Sequence, residues 1–226
     1  MLKKFRLNKA IKQLRKNNHQ LNTLLGSFDL NNYEYAFVGS FVRAYCFPKS
    51  FLNSYKDIDV IVKIPTSELQ SMLDYYKFEY TINDCKGFKV KTDNFMLDIW
   101  SFYDHLPFKY NLFTPSWKNI PASSFISLDG ATYTNKHKLY LGKIPSSIKN
   151  NTISLTVLSP LEPYMIMAKI IRYKLMGFNL PPLTEAKLKN FISDGRNWLK
   201  VRKFLGDHYS INLPMEKIWG KIFSKD

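Results

Sequence analysis

The chain has 226 residues, of which 45% are hydrophobic and 23% are charged, a balance typical of a folded globular protein with a sizeable core. Lysine and arginine number 33 against 18 acidic residues, and the net charge of +15 favours a polyanionic partner, with RNA or DNA ahead of a membrane surface. Two cysteines make no disulfide framework, and no apolar run approaches the roughly 20 residues that span a bilayer. We therefore expect a cytoplasmic protein with no membrane partner, although a lysine-rich surface can also serve solubility alone.

The first 25 residues predict an amphipathic helix from Leu2 to Leu25, because apolar residues recur at helical spacing among lysines and arginines. Gly26 and Ser27 are predicted to end it. Two interpretations of its basic face stay open. One is a helix that contacts RNA or a membrane surface, and the other is a packed helix with a solvated face.

The stretch from Val38 to Lys63 carries the strongest chemical signal. A short apolar run, residues 35–38, predicts a strand that ends in the pair Gly39-Ser40. Such a pair forms a turn that brings backbone N–H groups close to an anion, and a short helix over residues 41–47 would point its N-terminus at the same anion.

A second strand is predicted over residues 57–62, and it carries Asp57 and Asp59. Side chains alternate along a strand, so both carboxylates point to one face while Ile58 and Val60 point into a core. Adjacent carboxylates repel each other unless a cation lies between them, and Mg²⁺ is bound by one or two carboxylates together with substrate phosphates. An Asp-x-Asp pair beside a phosphate-binding turn therefore predicts attack on a nucleoside triphosphate by a two-metal mechanism.

The next segments predict a small mixed sheet with helices on one side. They are a helix over residues 68–76 with Thr66 or Ser67 as its N-cap, and strands over residues 78–82, 88–91 and 95–102. The last of these strands carries Asp98. A loop rich in aromatic residues follows, whose rings could stack on bases or, as we favour, pack beneath the loop.

The order of these residues resembles the DNA polymerase beta-like nucleotidyltransferase superfamily, whose mark is Gly-Ser, a spacer, Asp-x-Asp and a third carboxylate on a later strand. The resemblance matches Gly39-Ser40, Asp57, Asp59 and Asp98. It implies an α/β (α+β) nucleotidyltransferase fold and two Mg²⁺ ions bound by the three aspartates.

Gly39-Ser40-Phe41-Val42-Arg43 also resembles the Gly-Gly-x-Val-Arg opening of the CCA-adding enzymes and bacterial poly(A) polymerases. This implies phosphate contacts from Gly39, Ser40 and Arg43, with Lys56 nearby. The chain departs from that family at Ala44, where an acid is usual, and at Ala122-Ser123-Ser124, where Arg-Arg-Asp is usual. Those departures count against that particular activity.

A helix is predicted to start in Ser159-Pro160-Leu161-Glu162-Pro163 and to end near Gly177. It resembles the corresponding helix of CCA-adding enzymes and that of small toxin–antitoxin or abortive-infection nucleotidyltransferases. In the second group a helical lysine neutralises the triphosphate, and Lys169 would be that residue; a surface lysine on a core helix is the alternative. Beyond Pro181-Pro182, further helices are predicted over residues 185–192, 196–205 and 213–223.

Three regions are therefore expected: a basic helix over residues 1–26, a catalytic domain over residues 27–152 and a helical domain over residues 153–226. The implied reaction is transfer of a nucleoside monophosphate from an NTP to an acceptor hydroxyl, with an RNA (tRNA) 3′ end as the leading acceptor. A protein or small-molecule acceptor, such as an aminoglycoside, is the alternative within the same chemistry. A catalytically silent relative that binds RNA is the alternative outside it.

Overall fold

The computed structural model describes residues 1–48, 55, 57–83, 86–157, 163–212 and 214–223. Within these ranges the chain forms seven strands: β1 (Tyr35–Val38), β2 (Asp57–Val62), β3 (Tyr80–Ile82), β4 (Phe88–Lys91), β5 (Met96–Ser101), β6 (Thr132–Thr134) and β7 (Leu139–Tyr140). The helices are α1 (Leu2–Asn17), α2 (His19–Leu30), α3 (Gly39–Cys46), α4 (Thr66–Tyr75), α5 (Leu106–Lys109), α6 (Ile144–Lys149), α7 (Pro163–Leu175), α8 (Pro182–Ile192), α9 (Gly195–Tyr209) and α10 (Met215–Phe223).

The chain divides into two compact units. The first contains Met1–Ser123 and Asp129–Gly142, and the second contains Ser124–Leu128 and Lys143–Asp226. All seven strands belong to the first unit and form one sheet in the order β3-β4-β5-β2-β1-β6-β7. β2 and β5 pair in parallel, whereas the other neighbours pair antiparallel. The predicted mixed α/β sheet with flanking helices is confirmed.

One face of the sheet is apolar and buried at its centre. Ile58, Val60, Leu97 and Ile99 are fully buried on this face, as strand alternation predicts for residues that flank the acids. α3 and α4 contact the sheet, and Phe41 of α3 lies 5.4 Å from Phe37 of β1, ring centroid to ring centroid.

On the opposite face, an aromatic cluster of described residues covers one end. There Ala36, Val38 and Ile61 pack beneath Phe102, Phe108 and Ile120, with Trp100, Phe113 and Trp117 partly buried against them. The rings of the loop that follows β5 therefore pack onto the sheet. The other end of the same face, where β2 and β5 begin, carries polar side chains.

The N-terminal prediction of one long helix is wrong. Asn18 adopts an extended conformation between α1 and α2, and its side-chain oxygen accepts a hydrogen bond of 2.7 Å from the Leu21 N–H. An asparagine that caps a new helix in this way ends the previous one. Gly26 and Ser27 lie inside α2, which continues to Leu30.

Two other boundaries differ from the prediction. Pro65, and neither Thr66 nor Ser67, is the N-cap of α4, because the helix already begins at Thr66, whose hydroxyl donates to Asp104. α3 begins at Gly39, two residues earlier than predicted, since β1 leads directly into the helix. The predicted helix start at residues 159–162 lies outside the described ranges.

The second unit is mainly helical. α7 contacts α8, α9 and α10, and α8 contacts α9. α7 buries Ile166, Met167, Ile170 and Ile171. Asp194 caps α9 by accepting from the Arg196 N–H at 2.7 Å. Among the described residues, no helix is both long and apolar enough to cross a membrane.

Candidate active site

The bend between β1 and α3 is built around a glycine. Gly39 has φ +68°, and a Cβ at this position would lie 2.9 Å from Asp59 Oδ2. Only glycine combines that backbone conformation with so close an approach. The bend therefore holds the start of α3 directly against one of the predicted acids.

The start of α3 offers backbone donors. The Gly39 N–H donates to the Ala131 carbonyl oxygen at 2.9 Å. Val38, the N-cap of α3, makes no side-chain cap. The next N–H groups of the first turn, beginning with Ser40, have no partner inside the helix and suit an anion. Gly39 and Ser40 are both half-buried.

The three predicted acids lie on one face of the sheet. Asp59 pairs in register with Asp98 on the neighbouring parallel strand, and Asp57 precedes Asp59 by two residues on β2. All three side chains are half-buried at the end of the face that the aromatic loop leaves uncovered. The register, rather than a loop, brings them together.

Only one of the two carboxylate oxygens of Asp98 has a partner among the described residues, since Lys89 Nζ lies 3.8 Å from Oδ2. Its Oδ1 atom is buried and has no hydrogen-bond partner within the described part of the chain. Burial raises the pKa of Asp98, the Lys89 ammonium opposes the rise, and the negative charge of Asp57 adds to it. A bound cation would satisfy this oxygen and favour the ionised form.

The residues fit a metal that is shared with a substrate better than a closed protein site. No group of three or more His, Cys, Asp or Glu side chains forms a ready-made ion site in the described ranges. Mg²⁺ is usually bound by one or two carboxylates and completes its coordination with waters and substrate phosphates. Half-buried carboxylates beside backbone donors are compatible with that mode.

The three predicted basic contacts lie in different surroundings. Arg43 on α3 is 4% exposed, and its Nη1 forms an ion pair of 3.0 Å with Asp129 Oδ1. Lys169 is half-buried on α7, in the second unit. Lys56 lies outside the described residues. The roles of all three stay predictions.

Sequence reasoning missed Lys89 and Asp129. Lys89 on β4 pairs in register with Asp98, and its Nζ lies 3.8 Å from Asp98 Oδ2. The short turn between the predicted strands 88–91 and 95–102 was a signal for this hairpin. The pairing of Arg43 with Asp129 joins residues 86 positions apart, and no local pattern indicates it.

No protein-family model and no curated protein sequence matches the chain. Solved structures do match, and each is similar at low sequence identity. A CCA-adding enzyme in complex with CTP is 18% identical with a TM-score of 0.60, over 84% of this chain and 47% of that one. The Thermotoga maritima CCA-adding enzyme complexed with tRNA is 16% identical with a TM-score of 0.57, over 88% and 45%.

A tRNA nucleotidyltransferase complexed with a primer tRNA and an incoming ATP analogue is 13% identical with a TM-score of 0.53, over 88% of this chain and 62% of that one. The chain thus spans about half the length of the solved structures it matches. The chain has the α/β nucleotidyltransferase fold of the CCA-adding enzymes and related tRNA nucleotidyltransferases, as the sequence predicted.

Proposed function

We propose that the protein is a nucleotidyltransferase that moves a nucleoside monophosphate from an NTP to an acceptor hydroxyl. The placement of Asp57, Asp59 and Asp98 on one face of the sheet, with the Gly39 bend against Asp59, is the observation that supports this reaction. The shared fold with CCA-adding enzymes agrees with it.

In this proposal the bend binds the triphosphate. The Ser40 hydroxyl and the first backbone N–H groups of α3 contact the β and γ phosphates. The ion pair between Arg43 and Asp129 would fix the orientation of α3, and Arg43 stays a proposed phosphate contact. Lys56 and Lys169 are proposed as further phosphate contacts, acting as point charges.

The acids orient the acceptor and hold the ions. Asp57 and Asp59 would hold two Mg²⁺ ions, with Asp98 completing the coordination of one. Bound Mg²⁺ supplies positive charge that activates the attacking oxygen and stabilises the leaving pyrophosphate. The acceptor oxygen forms a bond to the α-phosphorus, the bond from that phosphorus to the pyrophosphate oxygen breaks, and pyrophosphate leaves with the bonding electrons. Asp98 accepts the hydroxyl proton and passes it to solvent.

An RNA 3′ end, and tRNA in particular, is the proposed acceptor. The net charge of +15 favours a polyanion, and two of the matching structures contain tRNA or a primer tRNA. A hydroxyl of a protein or of a small molecule would use the same transfer chemistry. A silent relative would bind RNA and transfer nothing.

The proposal is tested by incubating the protein with each α-labelled NTP, Mg²⁺ and total cell RNA. Label should enter RNA with the parent protein and be lost in the Asp57→Ala/Asp59→Ala variant, while RNA binding is kept. Asp93→Ala is the matched control, because Asp93 is an exposed acid in the turn before β5. RNA binding without labelling by the parent protein would contradict the proposal and favour the silent relative. Label in a protein or a small molecule instead would identify the other acceptor class.

A further inference from the structure

Lys89 stands at the edge of the candidate site. It lies opposite Asp98 on the same face as the acids, and its side chain is 44% exposed. Its ammonium is 3.8 Å from Asp98 Oδ2, a distance that allows electrostatic attraction without a close hydrogen bond. A cation so placed can remain near the carboxylate and still contact an incoming anion.

The strands set the groups of the site in a line across the sheet. The Gly39-Ser40 bend follows β1, Asp57 and Asp59 lie on β2, Asp98 lies on β5, and Lys89 lies on β4. With about 4.8 Å between neighbouring strands, the bend and Lys89 are about 14 Å apart, and the acids lie between them. The site therefore has a phosphate-binding side and a lysine side.

In phosphoryl transfer the attacking and leaving oxygens lie roughly in line on opposite sides of the phosphorus. When the pyrophosphate lies at the bend, the acceptor hydroxyl approaches from the side of β5 and β4. The geometry points to Lys89 as a contact to the acceptor, and to an acceptor that carries a phosphodiester beside its hydroxyl, as a polynucleotide 3′ end does. This inference rests on the proposed transfer reaction and names a residue that contacts the acceptor at the same site.

The charge of Lys89 separates the three acceptor classes. A polycationic sugar would be repelled by an ammonium on the side from which it must approach, and a neutral protein hydroxyl would gain nothing from it. A phosphodiester gains an ion pair with an exposed lysine beside a partly desolvated site. The observation therefore favours the polynucleotide over the small-molecule and protein acceptors.

The first experiment measures KM for each substrate in three variants. An RNA with a free 3′ hydroxyl is varied at saturating NTP, and the NTP is then varied at saturating RNA. Lys89→Ala should raise the KM for RNA by about five- to tenfold and leave the KM for NTP within about twofold. Lys89→Arg should restore most of the loss.

Lys91→Ala is the matched control. Lys91 lies two residues further along β4, on the same face, but it is paired in register with Met96, and its Nζ lies 3.7 Å from Glu79 Oε2. Its removal takes away the same charge at a different place, so both KM values should match those of the parent protein. An equal effect of both alanine variants would indicate bulk charge and overturn the inference.

The second experiment neutralises the acceptor instead of the lysine. A methylphosphonate replaces the last phosphodiester of the RNA, and affinity is measured by fluorescence anisotropy without NTP. The parent protein should lose affinity by about the same five- to tenfold factor. Lys89→Ala should bind the methylphosphonate RNA and the unmodified RNA with the same affinity. A lysine that acted only through Asp98 would leave the two proteins equally sensitive to the change.

The two proposals fail in different ways. A parent protein that transfers nucleotide to no acceptor defeats the proposed function, and the inference is defeated with it. A parent protein that extends RNA while Lys89→Ala keeps its KM for RNA overturns the inference alone. A raised KM for NTP in Lys89→Ala would assign the lysine to the triphosphate and would also overturn it.

Discussion

At the scale of single residues, Gly39 is where the backbone of the bend closely approaches the carboxylate of Asp59. An alanine here would put its Cβ 2.9 Å from Asp59 Oδ2 at φ +68°. A left-handed conformation costs a residue with a side chain roughly 1–2 kcal/mol, and the contact must displace Asp59 as well. The substitution therefore affects both the fold and the site.

We expect Gly39→Ala to lower the free energy of unfolding by about 1–2 kcal/mol or more and to weaken binding of Mn²⁺ together with an NTP. Gly177→Ala is the control, because Gly177 has φ +94° and a Cβ there would meet no atom within 4 Å. It should lose stability and keep ligand binding. Urea denaturation measures the first quantity and titration calorimetry the second. Unchanged ligand affinity in Gly39→Ala would refute the link between the bend and Asp59.

Asp98 gives a prediction on pH. Burial raises its pKa above the ordinary value of about 4, in spite of the opposing charge of Lys89. The folded protein therefore binds the proton more tightly than the unfolded chain does, and its stability falls as pH rises from about 4 through the raised pKa. Above that window the cost of the buried charge is constant.

Asp98→Asn removes this cost. In EDTA its free energy of unfolding should exceed that of the parent protein at pH 7, and the difference should disappear as pH falls to about 4. Urea denaturation across this pH range provides the measurement, with Asp93→Asn as the exposed control. Parallel stability profiles for Asp98→Asn and the parent protein would contradict the assignment of the cost to Asp98.

A divalent cation should make the parent protein more stable than Asp98→Asn. A ligand that binds only the folded state at 100 times its Kd adds about 2.7 kcal/mol. Mn²⁺ with a non-hydrolysable NTP should therefore stabilise the parent protein and have a smaller effect on Asp98→Asn. Equal stabilisation of both proteins by the same ligand would show that Asp98 is not a ligand to the ion.

At the scale of elements, α1 is a helix whose charged residues all have the same sign. All of its charged residues are basic, namely Lys3, Lys4, Arg6, Lys9, Lys12, Arg15 and Lys16. Its one buried residue is Leu7. α1 contacts α3, the helix that begins at the proposed phosphate site. Exposed apolar side chains at Leu2 and Phe5 interrupt its basic surface.

Charge reversal at Lys9, Lys12 and Lys16, which are all exposed, should weaken RNA binding and flatten its dependence on salt. Each lost phosphate contact lowers the log–log salt slope by about 0.7–0.9. The matched variant reverses Lys200, Arg202 and Lys203 on α9, which are also exposed. A loss confined to the α1 variant would establish α1 as an RNA surface. Equal losses would mean that the whole positive surface acts diffusely.

Three strands were predicted with their limits, whereas several helix ends were not. β1, β2 and β4 have the predicted limits, because a short apolar run in β1 and alternating side chains in β2 and β4 are local signals. β6 and β7, which are only three and two residues long, were not predicted. The break at Asn18 was missed, since α1 and α2 both have helical spacing and one capping residue separates them. The pairs Lys89–Asp98 and Arg43–Asp129 depend on strand order and on a distant turn, and residue spacing alone does not encode either.

At the scale of the whole molecule, the proposed acids and the bend all belong to the first compact unit, whereas Lys169 belongs to the second. The tryptophans report on the units separately, because Trp100 and Trp117 lie in the first and Trp198 and Trp219 in the second. Variants that keep one pair and replace the other by phenylalanine make each unit visible by fluorescence.

Mg²⁺ with an NTP should raise the unfolding midpoint seen by Trp100 and Trp117 more than that seen by Trp198 and Trp219. The reason is that a ligand stabilises the unit that binds it. Equal shifts would mean either that the two units unfold in one cooperative transition or that the second unit also binds the nucleotide. Lys169→Ala distinguishes these, because it lowers the shift of Trp198 and Trp219 alone only in the second case. A shift confined to the second unit would refute the location of the proposed site.

The register between β2 and β5 sets both the packing of the core and the position of Asp98. Leu97 and Ile99, which flank Asp98, are fully buried. Sliding β5 by one position would turn both into water and drive Asp98 into the hydrophobic layer. We therefore expect a mutation that preserves the alternating pattern of β5 to keep Asp98 on the face that carries Asp57 and Asp59. A single-residue insertion in the turn before β5 should therefore lower both the free energy of unfolding and the transfer activity.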